Sequence, residues 1–161
     1  MPNYTLDEID RHILAALQAN ARLRNVELAE EVGLSASPCL RRVRQLEQAG
    51  VINGYATLVD QQAVGLPVSV FIQVTLEKQI EPALETFEAE IRSWPEVMEC
   101  YLMTGDADYH LRVVTADLAG YERFLMDKLT RVPGVASIKS SFSLKQVVYR
   151  TALPVAASSD A

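Results

Sequence analysis

The sequence is poor in cysteine and tryptophan, with two and one among its 161 residues, and it contains no long apolar run. Cys39 and Cys100 lie far apart and form no Cys-x-x-Cys pair or Cys/His cluster, so neither a disulfide scaffold nor a zinc module is predicted. No apolar stretch reaches the roughly 18 residues that cross a bilayer, and no basic segment leads into an apolar one near the start. We therefore expect a protein of the reducing cytoplasm that is neither secreted nor inserted in a membrane.

Positive charge is scarce and unevenly placed along the chain. The net charge is −6, and no lysine precedes Lys78. This balance excludes a uniformly basic protein that coats nucleic acid. The segment 35–46 nevertheless contains Arg41, Arg42 and Arg44 and no acid, so a local cationic face is possible on an acidic protein.

Hydrophobic spacing predicts short helices in the first third of the chain. Thr5 to Glu8 has the T-x-x-E form of a helix start, and apolar residues then recur at helical spacing as far as Asn20. Asn25 can cap a second helix, and Gly33 is placed to end it in the left-handed conformation. With 49% hydrophobic residues, the chain has enough apolar side chains for a packed core.

A third predicted helix carries arginines on one side. Ser37 is a good cap for it, Pro38 a good first residue, and Gly50 ends it. At about 100° per residue, its apolar residues gather on one side. The opposite side holds Ser37, Pro38, Arg41 and Gln45, with Arg42 and Arg44 flanking them.

Two short helices joined by a glycine turn, the second with a polar Arg/Gln side, are typical of a helix-turn-helix. Such a helix fits the DNA major groove, where Arg bonds guanine, Gln bonds adenine, and flanking arginines neutralise phosphates. The alternative is a solvated helix face whose arginines pair with Glu47 and its neighbours. The predicted DNA-binding residues are Ser35, Ser37, Pro38, Arg41, Arg42, Arg44 and Gln45.

The rest of the chain predicts two β-α-β units. A β-prone segment, 51–59, leads out of the helical region as a strand. Further strands are predicted at 68–76, 97–103, 109–115 and 135–144, and helices at 81–94 and 118–129. Two such units in tandem make a ferredoxin-like β-α-β-β-α-β arrangement, a four-stranded antiparallel sheet with two helices on one face. We expect the other face to be apolar and covered by a second copy of the chain.

Four motifs stand in order along the chain: L-D-x-x-D-x-x-I-L at 6–14, E-L-A-x-x-V-G-L-S at 27–35, R-V-x-x-L-E-x-x-G-V-I at 42–52 and G-D-x-D-Y at 105–109. In order and spacing they resemble the Lrp/AsnC family of bacterial and archaeal transcriptional regulators. The resemblance covers about Leu6 to about Val148. It implies an α+β protein, with an N-terminal winged helix-turn-helix and a C-terminal ferredoxin-like module that dimerises and senses amino acids. The implied divisions are a DNA-binding domain at 1–52, a linker strand and hinge at 53–65, the ferredoxin-like module at 66–150 and a flexible tail at 151–161.

The resemblance also implies an effector site in the loop after the second strand of the C-terminal module. Gly105 permits close backbone approach, so loop amides can meet a ligand carboxylate, and Asp108 can pair with an α-ammonium. The alternative for Gly-Asp-Ala-Asp is an ordinary hairpin turn. The predicted effector-binding residues are Tyr101, Met103, Thr104, Gly105, Asp106 and Asp108.

Taken together, these features predict a DNA-binding transcriptional regulator whose DNA affinity or assembly responds to a small amino acid, and not an enzyme. The expected partners are double-stranded promoter DNA, the amino acid and further copies of the chain, as a homodimer and in higher oligomers such as a tetramer of dimers. No cofactor or metal is expected, since the acids near the loop have no nucleophile, oxyanion donor or metal-ligand spacing beside them. The rival hypothesis is a cytoplasmic ligand-binding metabolic protein that uses its N-terminal helices only for assembly.

Overall fold

A computed structural model describes residues 4–155, which form two compact units. The first unit combines residues up to Thr57 with a returning segment that begins at Val148, and the second spans Leu58–Val147. None of the helices in the described chain has the length and apolarity to cross a membrane.

In its described residues the first unit contains three helices: α1 (Glu8–Ala19), α2 (Asn25–Glu31) and α3 (Ala36–Gln48). Their inward faces share one core of Ile13, Leu14, Ala16, Leu28, Ala29, Cys39 and Leu46. Gly33 and Gly50 adopt φ of +70° just beyond α2 and α3, as predicted for the residues that end these helices. The turn between α2 and α3 is therefore tight, as in a helix-turn-helix.

The start of α1 differs from the prediction. Asp7, and not Thr5, is the N-cap: its carboxylate accepts from the Asp10 N–H at 2.8 Å, while the Asp10 carboxylate accepts from the Asp7 N–H at 3.3 Å. This exchange is a capping box, shifted two residues along the chain. Thr5 and Asp7 each have an acid three residues later in the chain, so the local sequence allows either of them to be the N-cap.

The starts of α2 and α3 also differ from the predicted caps. The N-cap of α2 is Arg24, and the Asn25 side chain instead donates to the Ala36 carbonyl at 2.8 Å. The N-cap of α3 is Ser35, two residues before Ser37. Because proline is tolerated throughout the first turn of a helix, the position of Pro38 does not determine which residue begins α3.

The second unit has four strands, two helices and a short 3-10 turn between the second helix and the last strand. The elements are β1 (Val68–Leu76), α4 (Glu81–Arg92), β2 (Val97–Leu102), β3 (Tyr109–Thr115), α5 (Leu118–Asp127), the turn Leu129–Arg131 and β4 (Val135–Phe142). The sheet order is β2-β3-β1-β4, and every neighbouring pair is antiparallel. This is the ferredoxin-like arrangement that the sequence predicts.

The two faces of the sheet differ in polarity. One face packs on α4 and α5 through a core that includes Val70, Ile72, Val74, Phe87, Ile91, Leu111, Val113, Tyr121 and Phe124. The other face is mixed and not the apolar surface expected: Phe71 is 43% exposed, while Arg112 and Glu99 form an ion pair at 2.8 Å. Side chains alternate along each strand, so the charged residues fall on the face without helices.

Two predicted segments outside these elements take different structures. Residues 51–59 form no strand within the described chain, because no other strand bonds to their backbone. The part of the predicted flexible tail at 151–155 belongs to the first unit: the Gln18 side chain bonds both backbone groups of Leu153, and Val155 packs on the helical core. The rest of the tail, 156–161, lies outside the described residues.

Candidate DNA-binding and ligand-binding sites

The outward side of α3 presents the predicted polar residues together. One shallow surface depression is lined by Ser37, Leu40, Arg41, Arg44, Gln45 and Gln48. All six side chains are exposed. Ser35 is also exposed at the helix start, and Pro38 is half-buried beside it. The structure therefore brings together four of the seven predicted DNA-binding residues at one side of α3, namely Ser37, Arg41, Arg44 and Gln45.

Two arginines of this surface carry charge that no acid neutralises. Within residues 4–155, neither Arg41 nor Arg44 forms an ion pair or a side-chain hydrogen bond. Glu47, the acid that the alternative pairs with them, accepts instead from the Tyr55 hydroxyl at 2.9 Å. The solvated, self-neutralised helix face is thus not what forms, and the outward side of α3 stays cationic.

Arg42 does not lie with the other predicted DNA-binding residues. It is on the side of α3 that faces α1. Its guanidinium forms ion pairs with Asp7 at 2.6 Å and with Asp10 at 2.9 Å. Asp10 is only 2% exposed and also accepts from the Tyr4 hydroxyl. The Asp10 backbone N–H, together with Arg42, holds the pKa of Asp7 below its ordinary value of 3.8. Arg42 therefore joins two helices, and its charge is paired within the protein.

Two residues of the depression were missed by the sequence analysis. Leu40, an apolar residue expected on the buried side of α3, is 39% exposed and lines the depression with the arginines. Gln48 follows Arg44 by four residues and Gln45 by three, a spacing that places it on the same helix side. That spacing could have found Gln48, whereas the exposure of Leu40 depends on how α3 sits against α1 and α2.

The predicted effector residues lie at the end of β2 and in the loop that joins it to β3. Tyr101, Met103, Thr104, Gly105 and Asp106 are all exposed, and Gly105 has a φ of +123°. The Met103 N–H donates to the Asp108 carbonyl at 2.8 Å, so the loop closes as a hairpin. The hairpin and a ligand site are therefore compatible: the turn fixes the shape and leaves apolar and polar side chains accessible.

Asp108 differs from the other loop residues because it is buried, with 4% of its surface exposed. One carboxylate oxygen accepts from the Leu76 N–H at 2.7 Å, and the other accepts from the Gln79 side-chain amide. The Asp108 N–H donates to the Val74 carbonyl at 3.0 Å. Asp108 thus ties the loop to the end of β1. Gln79 was not predicted, since it is 29 residues away and nothing in the local sequence marks it.

The two cysteines and Glu96 are held in the packed structure and show no sign of a chemical role. Burial raises the pKa of Cys39, and it raises the pKa of Cys100 to about 11, so both thiols stay protonated at neutral pH. Glu96 lies in a two-oxygen ion pair with Lys128 at 2.7 and 2.8 Å. In the part of the chain that the structure describes, no three His, Cys, Asp or Glu side chains are grouped as metal ligands.

Comparison with known proteins agrees with this architecture. Residues 6–53 match a winged helix-turn-helix DNA-binding family, and residues 69–153 match the Lrp/AsnC ligand binding domain. The Bkd operon transcriptional regulator of Pseudomonas aeruginosa is 51% identical over 93% of this chain and 98% of its own. The leucine-responsive regulatory protein of Salmonella typhimurium is 39% identical over 91% and 89%. A Neisseria meningitidis transcriptional regulator, solved as an L-Met complex, superposes with a TM-score of 0.89 at 44% identity, over 94% of this chain and 97% of its own.

A winged helix-turn-helix followed by a ligand-binding domain defines a DNA-binding transcriptional regulator, and not an enzyme. In helix-turn-helix proteins the second helix of the motif lies in the DNA major groove, and α3 holds that position in this chain. The chain belongs to the Lrp/AsnC family of transcriptional regulators.

Proposed function

We propose that this regulator reads promoter DNA with the outward side of α3, and that a small α-amino acid bound at residues 101–108 changes its DNA affinity or its assembly. The observation that carries the DNA part is the pair Arg41 and Arg44, exposed and without an acid partner in the described chain. A cationic helix side without internal partners is suited to the phosphate and base acceptors of the major groove.

The contacts divide by position along α3. Arg41 and Gln45 are one helical turn apart, so both side chains can reach base edges, where Arg bonds guanine and Gln bonds adenine. Arg44 lies to one side of them and is assigned to a phosphate. Ser35, Ser37 and Pro38 lie in the first turn, where hydroxyls and backbone N–H groups meet the DNA backbone.

The ligand part is supported by the loop and by one relative. The Neisseria regulator was solved with L-Met, and the Salmonella relative is named for its response to leucine. In this chain, Tyr101 and Met103 offer an exposed apolar wall for such a side chain. Gly105 leaves room for loop amides to meet a carboxylate, and Asp108 supplies the negative charge for an α-ammonium.

We also infer a homodimer that assembles further, with a tetramer of dimers as one such form, in the bacterial cytoplasm where promoter DNA lies. Apolar side chains stay exposed in two segments that form no helix or strand. They are Tyr55, Leu58, Val59 and Val64 in the first segment and Leu144, Val147, Val148 and Tyr149 in the second. Exposed apolar side chains in such number are typical of surfaces that a partner covers.

Two experiments test the proposal. The first selects an operator from random-sequence DNA by repeated binding and measures affinity by fluorescence anisotropy at two salt concentrations. We expect tight, salt-dependent binding that is much weaker for a scrambled duplex. The second screens the twenty amino acids by thermal shift, since a ligand that prefers the folded state raises the Tm. Equal affinity for operator and scrambled DNA would contradict the groove assignment, and no shift with any amino acid would contradict the ligand assignment.

A further inference from the structure

One flexible side chain closes over the buried carboxylate of Asp108. The Gln79 amide donates to one of its two oxygens, and the Leu76 N–H donates to the other. Leu76 is the last residue of β1, so its N–H is fixed by the strand. Gln79 is exposed. It belongs to the connection between β1 and α4, residues 77–80, which forms neither strand nor helix.

This arrangement satisfies Asp108 in the absence of any ligand. A buried carboxylate without donors is costly, and a neutral amide supplies a hydrogen bond without supplying charge. An ammonium supplies both a hydrogen bond and a positive charge. An α-ammonium is therefore a better partner than the Gln79 amide for the carboxylate oxygen that this amide bonds.

We propose that Gln79 is a latch on Asp108: its amide competes with the ammonium of the amino acid for the same carboxylate oxygen and so sets ligand affinity. The inference rests on the proposed ligand site at Asp108. The ligand must displace the Gln79 amide, which swings outward into solvent, where it is already exposed. Gln79 thereby shifts affinity without being part of the bound state.

The latch also selects among ligands. Only a ligand with a free α-ammonium interacts with the Asp108 carboxylate more strongly than the Gln79 amide does. N-acetyl-L-methionine, and methionine without its amino group, should therefore not bind. If Gln79 instead held the ligand, with its amide oxygen accepting from the ammonium, removing it would weaken binding. The two arrangements therefore predict opposite signs for the same substitution.

The test is calorimetric titration of the full-length protein with each of the twenty amino acids, beginning with L-methionine and L-leucine. Gln79→Ala removes the side chain, Gln79→Met keeps its length without the amide, and Gln62→Ala is a control at an exposed glutamine outside this contact. A hydrogen bond to a charged group corresponds to about a tenfold change in affinity. We expect both Gln79 variants to bind about tenfold more tightly than wild type, and Gln62→Ala to bind like wild type.

A second readout separates the latch from a merely structural role. Because the latch acts on the ligand-free state, both Gln79 variants have a lower Tm without ligand, and saturating ligand removes the difference from wild type. Ligand binding to the variants but not to wild type would also support the latch. Wild-type binding with equal or weaker binding in both Gln79 variants would overturn the latch and leave the proposed function standing. No binding by any of the proteins, for any of the twenty amino acids, would overturn both.

Discussion

Arg41 and Gln45 act at the scale of single residues, and their contribution is to sequence preference. We predict that Arg41→Ala or Gln45→Ala narrows the affinity gap between the selected operator and its single-base variants by about 1–3 kcal/mol at the contacted base pair. Arg44→Ala, which removes a phosphate contact, weakens binding to all sequences evenly and lowers the salt slope by about one. Anisotropy titrations on operator variants at several salt concentrations measure both effects. Unchanged preference in Arg41→Ala would remove that residue from the groove.

Arg42 acts on the fold. Removing it leaves the buried Asp10 carboxylate without its cation, so we predict that Arg42→Ala lowers the free energy of unfolding by about 3 kcal/mol. Arg44→Ala is the matched control: the side chain is exposed and unpaired in the described chain, so its cost should stay within about 0.5 kcal/mol. Urea unfolding followed by circular dichroism measures both. A similar small cost for the two variants would contradict the structural role of Arg42.

Asp7 makes part of this stability dependent on pH. Its pKa lies below 3.8 in the folded protein because of the Asp10 N–H and then Arg42, so the folded state binds its proton less readily than the unfolded chain. The stabilisation is therefore complete above pH 3.8 and is lost as the pH falls through the lowered pKa. Asp7→Ser keeps a helix cap but removes the charge. We predict that wild type exceeds Asp7→Ser in unfolding free energy at pH 7 and that the difference shrinks steadily in acid; a constant difference would exclude this cause.

At the scale of elements, the four strands of the sheet and the starts of α4 and α5 were more predictable than the starts of α1, α2 and α3. The bounds of β1 and β3 agree with the sequence prediction because the apolar residues of these strands stand out in short runs with clear limits. The starts of α1, α2 and α3 depended on which of two possible cap residues, at most two positions apart, was used. Asp7 gained the capping position together with an ion pair to Arg42, 35 residues along the chain, which no local pattern reveals.

The candidate sites show the same limit. Helical spacing alone could place Arg41, Arg44 and Gln45 on one side of α3, since that requires only 3.6 residues per turn. It could not show that Arg42 faces α1, because that depends on where Asp7 and Asp10 lie after packing. The bond between Gln79 and Asp108 likewise exists only because β1 and β3 are neighbours in the sheet.

The ferredoxin-like module is expected to fold without the N-terminal helices. Its core comes from the sheet, α4 and α5, all within the second unit. We predict that residues 66–150 fold and dimerise, whereas residues 1–58 bind DNA poorly because a single helix-turn-helix reads only one half-site. Analytical ultracentrifugation of the first fragment and anisotropy with the second provide the measurements. A monodisperse monomer of residues 66–150 at micromolar concentration would contradict the dimer.

For the whole molecule, regulation requires a ligand that binds two states of the protein with different affinity, because equal affinity for both states shifts no population. Asp108→Asn keeps the size of the side chain and an oxygen for the Leu76 N–H, but removes the charge that would face an ammonium. We predict that this variant binds operator like wild type and loses most of its response to the amino acid. Thermal melts confirm its fold, and an undiminished response would remove Asp108 from the site.

The most direct test is an operator titration of the wild-type protein, with and without the amino acid that gives the largest thermal shift. Anisotropy reports DNA affinity, and the same samples in the ultracentrifuge report assembly. We predict a 5- to 150-fold change in operator affinity, the range that corresponds to a coupling free energy of roughly 1–3 kcal/mol, or an equivalent shift between oligomers. Identical operator affinity and identical assembly with every amino acid that binds would contradict it.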